Sequence, residues 1–141
     1  LLYPCVLNLD KEVEDYKFDL NKYEYGEDKE LAHKLVLMIK SLPRVGEYYV
    51  NKQEDLESEL ISPLLSNKLE KMPNTLMITA EYDYLTLEAE AYVRKLIRNG
   101  VDVKYIKYKG ISHGIIDKIG KYPQAQDCLD EISKYFLKSL D

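Results

Sequence analysis

The sequence predicts an α/β fold in which a partial parallel sheet of about three strands is flanked by helices. Three observations lead there. Short apolar runs of strand length alternate with longer stretches whose apolar residues recur at helical spacing. The run Thr75–Ala80 is nearly continuous in apolar character, as a parallel strand covered on both faces is. From Thr75 onward the order strand, helix, strand, loop, helix spells a βαβα unit with a right-handed crossover. The 141 residues, 45% apolar and 32% charged, have the length and balance of one globular domain, 1–141.

The elements follow in order. Leu1 to Leu9 is a short apolar run that suits a buried strand over about 3–8, although chain ends usually sit exposed and polar. Residues 10–29 are acidic, rich in tyrosine and without a period, and read as irregular. Asp28 would cap a helix from about Glu30 to Leu42 with Leu31, Leu35, Met38 and Leu42 on its apolar stripe and Pro43 ending it. Residues 44–61 are ambiguous, and 51–59 form a charged surface segment. After the strand Thr75–Ala80, a helix is expected over about Thr86 to Asn99, with Leu87, Ala91, Val93, Leu96 and Ile97 supplying apolar contacts. Asn99-Gly100 is its stop. Val101–Tyr108 reads as a second strand, more exposed because of Lys104 and Lys107, and 109–119 as a loop containing Gly110 and Gly114. Pro123 suits the first turn of a last helix whose stripe is Cys128, Leu129, Ile132, Tyr135, Phe136 and Leu140.

Composition excludes some classes. A net charge of −5 offers no basic excess for nucleic acid. No apolar run approaches the roughly 20 residues of a membrane helix, and the start lacks the basic region of a signal peptide. Neither a nucleic acid nor a membrane is therefore an expected partner. The two cysteines, Cys5 and Cys128, are expected as reduced, buried thiols in a cytoplasmic setting.

Functional groups in parallel sheets gather just beyond the C-terminal ends of the strands. After the first strand of the βαβα unit comes Glu81-Tyr82-Asp83-Tyr84-Leu85, and after the second Lys109-Gly110-Ile111-Ser112-His113-Gly114-Ile115. One loop presents a carboxylate and the other an imidazole. If the strands are neighbours, Asp83 and His113 meet at one edge, where the acid would set the tautomer of the imidazole.

These segments resemble the hormone-sensitive-lipase-like (acetyl esterase) branch of the α/β-hydrolase-fold esterases. The resemblance is carried by Ser62-Pro63-Leu64-Leu65, Met72-Pro73, Ile78-Thr79-Ala80-Glu81-Tyr82-Asp83-Tyr84-Leu85 and His113-Gly114, with thirty positions from acid to histidine. It runs from Leu1-Leu2-Tyr3-Pro4 to the final helix, loosely through 10–60. Tyr84 stands where the branch usually has proline, Leu87 where an acid is common and Ile115 where phenylalanine is common. The resemblance implies a partial α/β-hydrolase fold with 10–60 as an irregular, cap-like segment. It also implies a carboxylic ester as small-molecule substrate, no cofactor or metal, and Asp83 and His113 as the catalytic acid and base.

The nucleophile of that branch sits in a Gly-x-Ser-x-Gly elbow. Ser41, Ser58, Ser62, Ser66, Ser112, Ser133 and Ser139 all lack that setting, and a glycine-rich oxyanion segment is also missing. The simplest expectation is a C-terminal fragment whose serine would precede Leu1 and which is inactive by itself. Two other readings remain: half of a split hydrolase completed by an N-terminal chain, or a degenerate, non-catalytic interaction module. In the resembling fold the strand 3–8 is interior, so its bared edge would pair with a second copy as a homodimer unless 10–30 fold back over it.

Other candidates carry less. His33 reads as structural and Cys5 as a small buried hydrophobe. Glu54, Asp55, Glu57 and Glu59 form a solvated face without a histidine to complete a metal site. Tyr23, Tyr25, Tyr48 and Tyr49 fit an acyl pocket and fit packing under irregular segments equally.

Overall fold

The computed structural model describes Asp19, Asn21, 26–40 and 56–140. The expected strand at 3–8, its paired edge and the tyrosines at 23, 25, 48 and 49 lie outside these residues, as does most of 10–60.

Helix α1, Lys29–Lys40, follows a single 3-10 turn, Gly26–Asp28. Strand β1, Thr75–Tyr82, leads into α2, Thr86–Arg98. Strand β2, Val103–Ser112, leads through a 3-10 turn, Ile116–Lys118, to α3, Pro123–Lys138. The two strands pair in parallel, Thr75 with Val103 through Ala80 with Tyr108. Successive side chains point to opposite faces of a strand, which splits the core in two. On one face Met77 and Val103 pack against Leu64, Leu69, Ala89, Ala91, Tyr92, Leu96 and Val101. On the other, Ile78 and Ile106 join Ala80, Tyr108, Ile111, Ala125 and Cys128 under α3. The βαβα reading and its parallel pairing thus appear as expected.

The stop of α2 shows how local sequence shapes this layout. Asn99 ends the helix, and Gly100 takes φ +80°, where a side chain is disfavoured. The Val101 N–H then donates to the Leu96 carbonyl at 3.2 Å and the Gly100 N–H to Ile97 at 3.0 Å, the pair of bonds of a Schellman motif. Its apolar contact is supplied by Leu96 and Val101 in one core. Val101 therefore closes the helix rather than opening the strand, and β2 begins two residues later than expected.

Three expectations on packing need correction. Among the described side chains of α1 the buried ones are Ala32 and Val36, Leu35 is half-buried and Leu31 is 54% exposed, while those of Met38 and Leu42 lie outside the described set. This part of the helix turns Ala32 and Val36 inward, a phase that side-chain size conceals. Ile97 of α2 is likewise exposed. In α3 the inward line runs through Ala125 and Cys128, with Ile132 and Tyr135 half-buried. Leu129 and Phe136, about 100° round the helix, face outward, and Leu140 lies exposed beyond the helix end. The strand β2 is also longer than expected and runs into the stretch read as a loop.

Two of the three lysines of β2 reach helix carboxylates. Lys104 pairs with Glu131 of α3, while Lys107 donates to Glu90 of α2 at 2.9 Å. Tyr105 donates to the same Glu90 oxygen at 3.0 Å and its hydroxyl lies 2.8 Å from that of Thr79. Burial, with Glu90 adding to it, pushes the Tyr105 phenol up to about 12, so it remains a donor.

Replacing Leu96 by Ala leaves a cavity at the centre of the first core and is expected to cost about 2–5 kcal/mol in urea unfolding. For Gly100→Ala, open space surrounds the new methyl. Its expected cost of about 1 kcal/mol is that of a left-handed backbone alone, and Gly100→Asn should cost less.

Candidate functional site

The acid loop is built by β1 ending against α2. The Thr86 hydroxyl, buried at the first turn of α2, donates to the Ala80 carbonyl at 2.6 Å, and the Thr86 N–H donates to the Asp83 carbonyl at 3.1 Å. Asp83 is buried, and its two carboxylate oxygens have separate partners. Oδ1 accepts the Leu85 N–H at 3.0 Å, an Asx-type turn that fixes the rotamer. Oδ2 is left for His113, whose Nδ1 lies 2.8 Å away. The structure thus brings the two expected site residues into direct hydrogen bonding across the C-terminal edge of the sheet.

The histidine loop is aimed by an irregularity in β2. Ala80 pairs with Tyr108, but Tyr82 pairs with Ser112, so two extra residues are accommodated in β2. Glu81 closes the gap. Its Oε2 accepts the Gly110 N–H and its Oε1 the Lys109 ammonium, both at 2.8 Å, while Gly110 takes φ +69°. Partial burial works against the charge on Glu81, but these two donors prevail and hold its carboxyl below the usual range. Glu81 thus ties the strand that carries the acid to the strand that carries the imidazole.

Beyond Ser112 the chain turns at Gly114, φ +74°, into the 3-10 turn Ile116–Lys118. The Lys118 ammonium comes back over the loop and donates to the carbonyls of His113 at 2.6 Å, Gly114 at 3.1 Å and Ser112 at 3.4 Å. The hydrogen bond to Asp83 raises the pKa of His113, while burial and the charge of Lys118 oppose the rise. With Nδ1–H engaged by the carboxylate, Nε2 is the nitrogen left to accept a proton.

Among the described residues several other candidates have structural partners, while Cys5, Ser41, Glu54 and Asp55 lie outside them. Ser62 is buried and donates to the Leu56 carbonyl at 2.7 Å. Ser66 donates to Glu59, and Ser133 and Ser139 bond carbonyls of their own helix. Cys128 is a free thiol in the second core, raised in pKa by burial and then by Asp127, and so behaves as a small hydrophobe. Glu57 and Glu59 are exposed. Among the described residues no group of His, Cys, Asp and Glu is placed to hold a metal, and no helix is long and apolar enough to cross a membrane. Sequence reasoning missed Glu81, Thr86 and Lys118, whose roles arise from contacts between segments.

His113 should titrate above the ordinary histidine value of about 6.5, and Asp83→Asn should bring it down, as followed by NMR of the imidazole. Because the folded value is the raised one, the stabilisation is fully present below about pH 6.5 and is lost as pH rises through the folded value. Asp83→Asn should therefore destabilise the chain more at pH 5.5 than at pH 9, read as urea midpoints.

Comparison with known proteins places the fold. A family model described as alpha/beta hydrolase fold matches residues 1–117. An arylesterase of Saccharolobus solfataricus is 34% identical over 68 residues, 48% of this chain and 22% of that protein. Probable carboxylesterase 16 of Arabidopsis thaliana is 33% identical over 93 residues, 62% of this chain and 21% of that protein. The matched stretch is thus about a fifth of the length of these curated relatives. Among solved structures, the metagenomic carboxylesterase EstE1 superposes with a TM-score of 0.66 at 29% identity over 72% of this chain and 36% of that one. A Rhizomucor miehei esterase does so with a TM-score of 0.62 at 36% identity over 69% and 31%. Matched over most of its length and carrying the parallel strands and flanking helices of that architecture, the chain belongs to the alpha/beta hydrolase fold family.

Proposed function

We propose that these 141 residues supply the acid and the general base of a serine carboxylic-ester hydrolase. The observation that carries this reading is the 2.8 Å hydrogen bond between His113 Nδ1 and Asp83 Oδ2 at the C-terminal edge of the sheet. In the proposed reaction a serine hydroxyl attacks the ester carbonyl as His113 Nε2 takes its proton, and the imidazolium then returns that proton to the leaving alkoxide. Water repeats the cycle on the acyl-serine. Asp83 keeps Nδ1 protonated and stabilises the imidazolium, remaining ionised itself. The relatives named arylesterase and carboxylesterase support the ester as the substrate class.

No Gly-x-Ser-x-Gly occurs in the sequence. The attacking serine and the oxyanion donors therefore come, on this reading, from polypeptide outside these residues, in the same chain or in a complementing one. Imidazole and carboxylate without them retain little rate enhancement.

The test uses p-nitrophenyl acetate. The 141 residues by themselves should hydrolyse it no faster than their His113→Ala variant. Joined to or mixed with a family segment bearing the serine elbow, they should give saturable turnover that falls about 10³- to 10⁴-fold in Asp83→Asn or His113→Ala. Turnover by the 141 residues alone that a serine-directed phosphonate abolishes would overturn the assignment of roles.

A further inference from the structure

We propose that Lys118 is the positioning residue for His113, holding the backbone of its loop so that the imidazole meets Asp83. This inference rests on the function proposed for the pair. Three consecutive carbonyls, of Ser112, His113 and Gly114, converge on one ammonium nitrogen at 3.4, 2.6 and 3.1 Å. An extended strand cannot present carbonyls this way, because they alternate from side to side. The convergence is made where β2 ends at Ser112 and Gly114 enters the left-handed region. The Gly114 carbonyl also accepts the Asp117 N–H at 3.2 Å, but without the ammonium nothing would offset the mutual repulsion of three carbonyl dipoles aimed at one point, and the turn would relax.

Lysine suits this place chemically. Its ammonium has three donors and no acceptor, and charge-assisted bonds are roughly twice as strong as neutral ones. The 3-10 turn delivers it: Asp117 N–H donates to Gly114 and Lys118 N–H to Ile115, which folds the side chain back over the loop it follows. Since the shortest of the three bonds is to the carbonyl of His113 itself, that residue is gripped at both ends. Its backbone is held by Lys118 and its ring by Asp83.

The charges facing the imidazole are Asp83, from the loop after β1, and Lys118 and Asp117, from the 3-10 turn. The charge of Lys118 by itself disfavours the imidazolium. A lysine acting only through charge would therefore, when removed, let the pKa of His113 rise. A lysine that positions the ring would, when removed, let the contact with Asp83 loosen and the pKa fall. The sign separates the two.

The experiment is an NMR titration of the His113 imidazole in the 141-residue chain, with folding checked by circular dichroism. In Lys118→Met the pKa should fall by about one pH unit, and adding Asp83→Asn should move it little further. Lys118→Arg, which keeps the charge and several donors, should stay near the unsubstituted chain. A pKa that is unchanged or raised in folded Lys118→Met overturns the proposal. Should that variant not fold, Lys118→Gln is judged by the same criterion. If Asp83→Asn alone leaves His113 unmoved, the pair and the functional reading fall together. If Asp83→Asn acts and Lys118→Met does not, only the role of Lys118 falls.

Discussion

Thr75 to Ala80 lie beside Val103 to Tyr108 in parallel, and because parallel strands end at the same edge of a sheet, whatever follows each of them is delivered to one place. The rest of the structure depends on that pairing. An antiparallel arrangement of the same strands would send Asp83 and His113 to opposite ends of the sheet, some 20–30 Å apart for strands of this length. Parallel pairing in turn requires a crossover, and α2 with its glycine stop makes the return within the twenty residues between the strands.

Pairing alone brings the loops to one edge but not the atoms to hydrogen-bonding distance. Two devices add that precision. On the acid side, Asp83 uses one oxygen to fix its own turn and so presents the other in a set direction. On the imidazole side, Glu81 absorbs the two extra residues of β2, and the Lys118 ammonium gathers the carbonyls of the turn. Each device supplies partners to backbone groups of the irregular chain, which is the general condition for a loop to hold one shape near a buried site.

The electrostatics at this edge are mixed by design of the chain. Asp83 draws positive charge onto the imidazole, while Lys118 sets a fixed positive charge close by and restrains it. A base must be neutral to take a proton and must tolerate the charge once it has it. In the proposed role as base, His113 stands between those demands, with a carboxylate on one side and an ammonium on the other. The neighbouring polar network of Thr79, Tyr105, Glu90 and Lys107 is internally satisfied, and it anchors α2 to the sheet just below the acid loop.

By itself the sequence determined the kinds of element, their order and the two loops that hold the candidate site. Apolar runs, the Asn99-Gly100 stop and Pro123 are local signals whose physics acts within a few residues. Asp83 and His113 were legible because each directly follows a strand, and the strand order implied a shared edge. Tertiary structure decided which face of each helix is buried. Ala32 rather than Leu31 lies inward, and Phe136 outward, since burial depends on the neighbour that the helix meets. It also decided how far β2 extends and what holds the histidine loop. Glu81 and Lys118 look like ordinary surface charges in the sequence, because the backbone groups they bind face them only after the strands have paired and the chain has turned at Gly110 and Gly114.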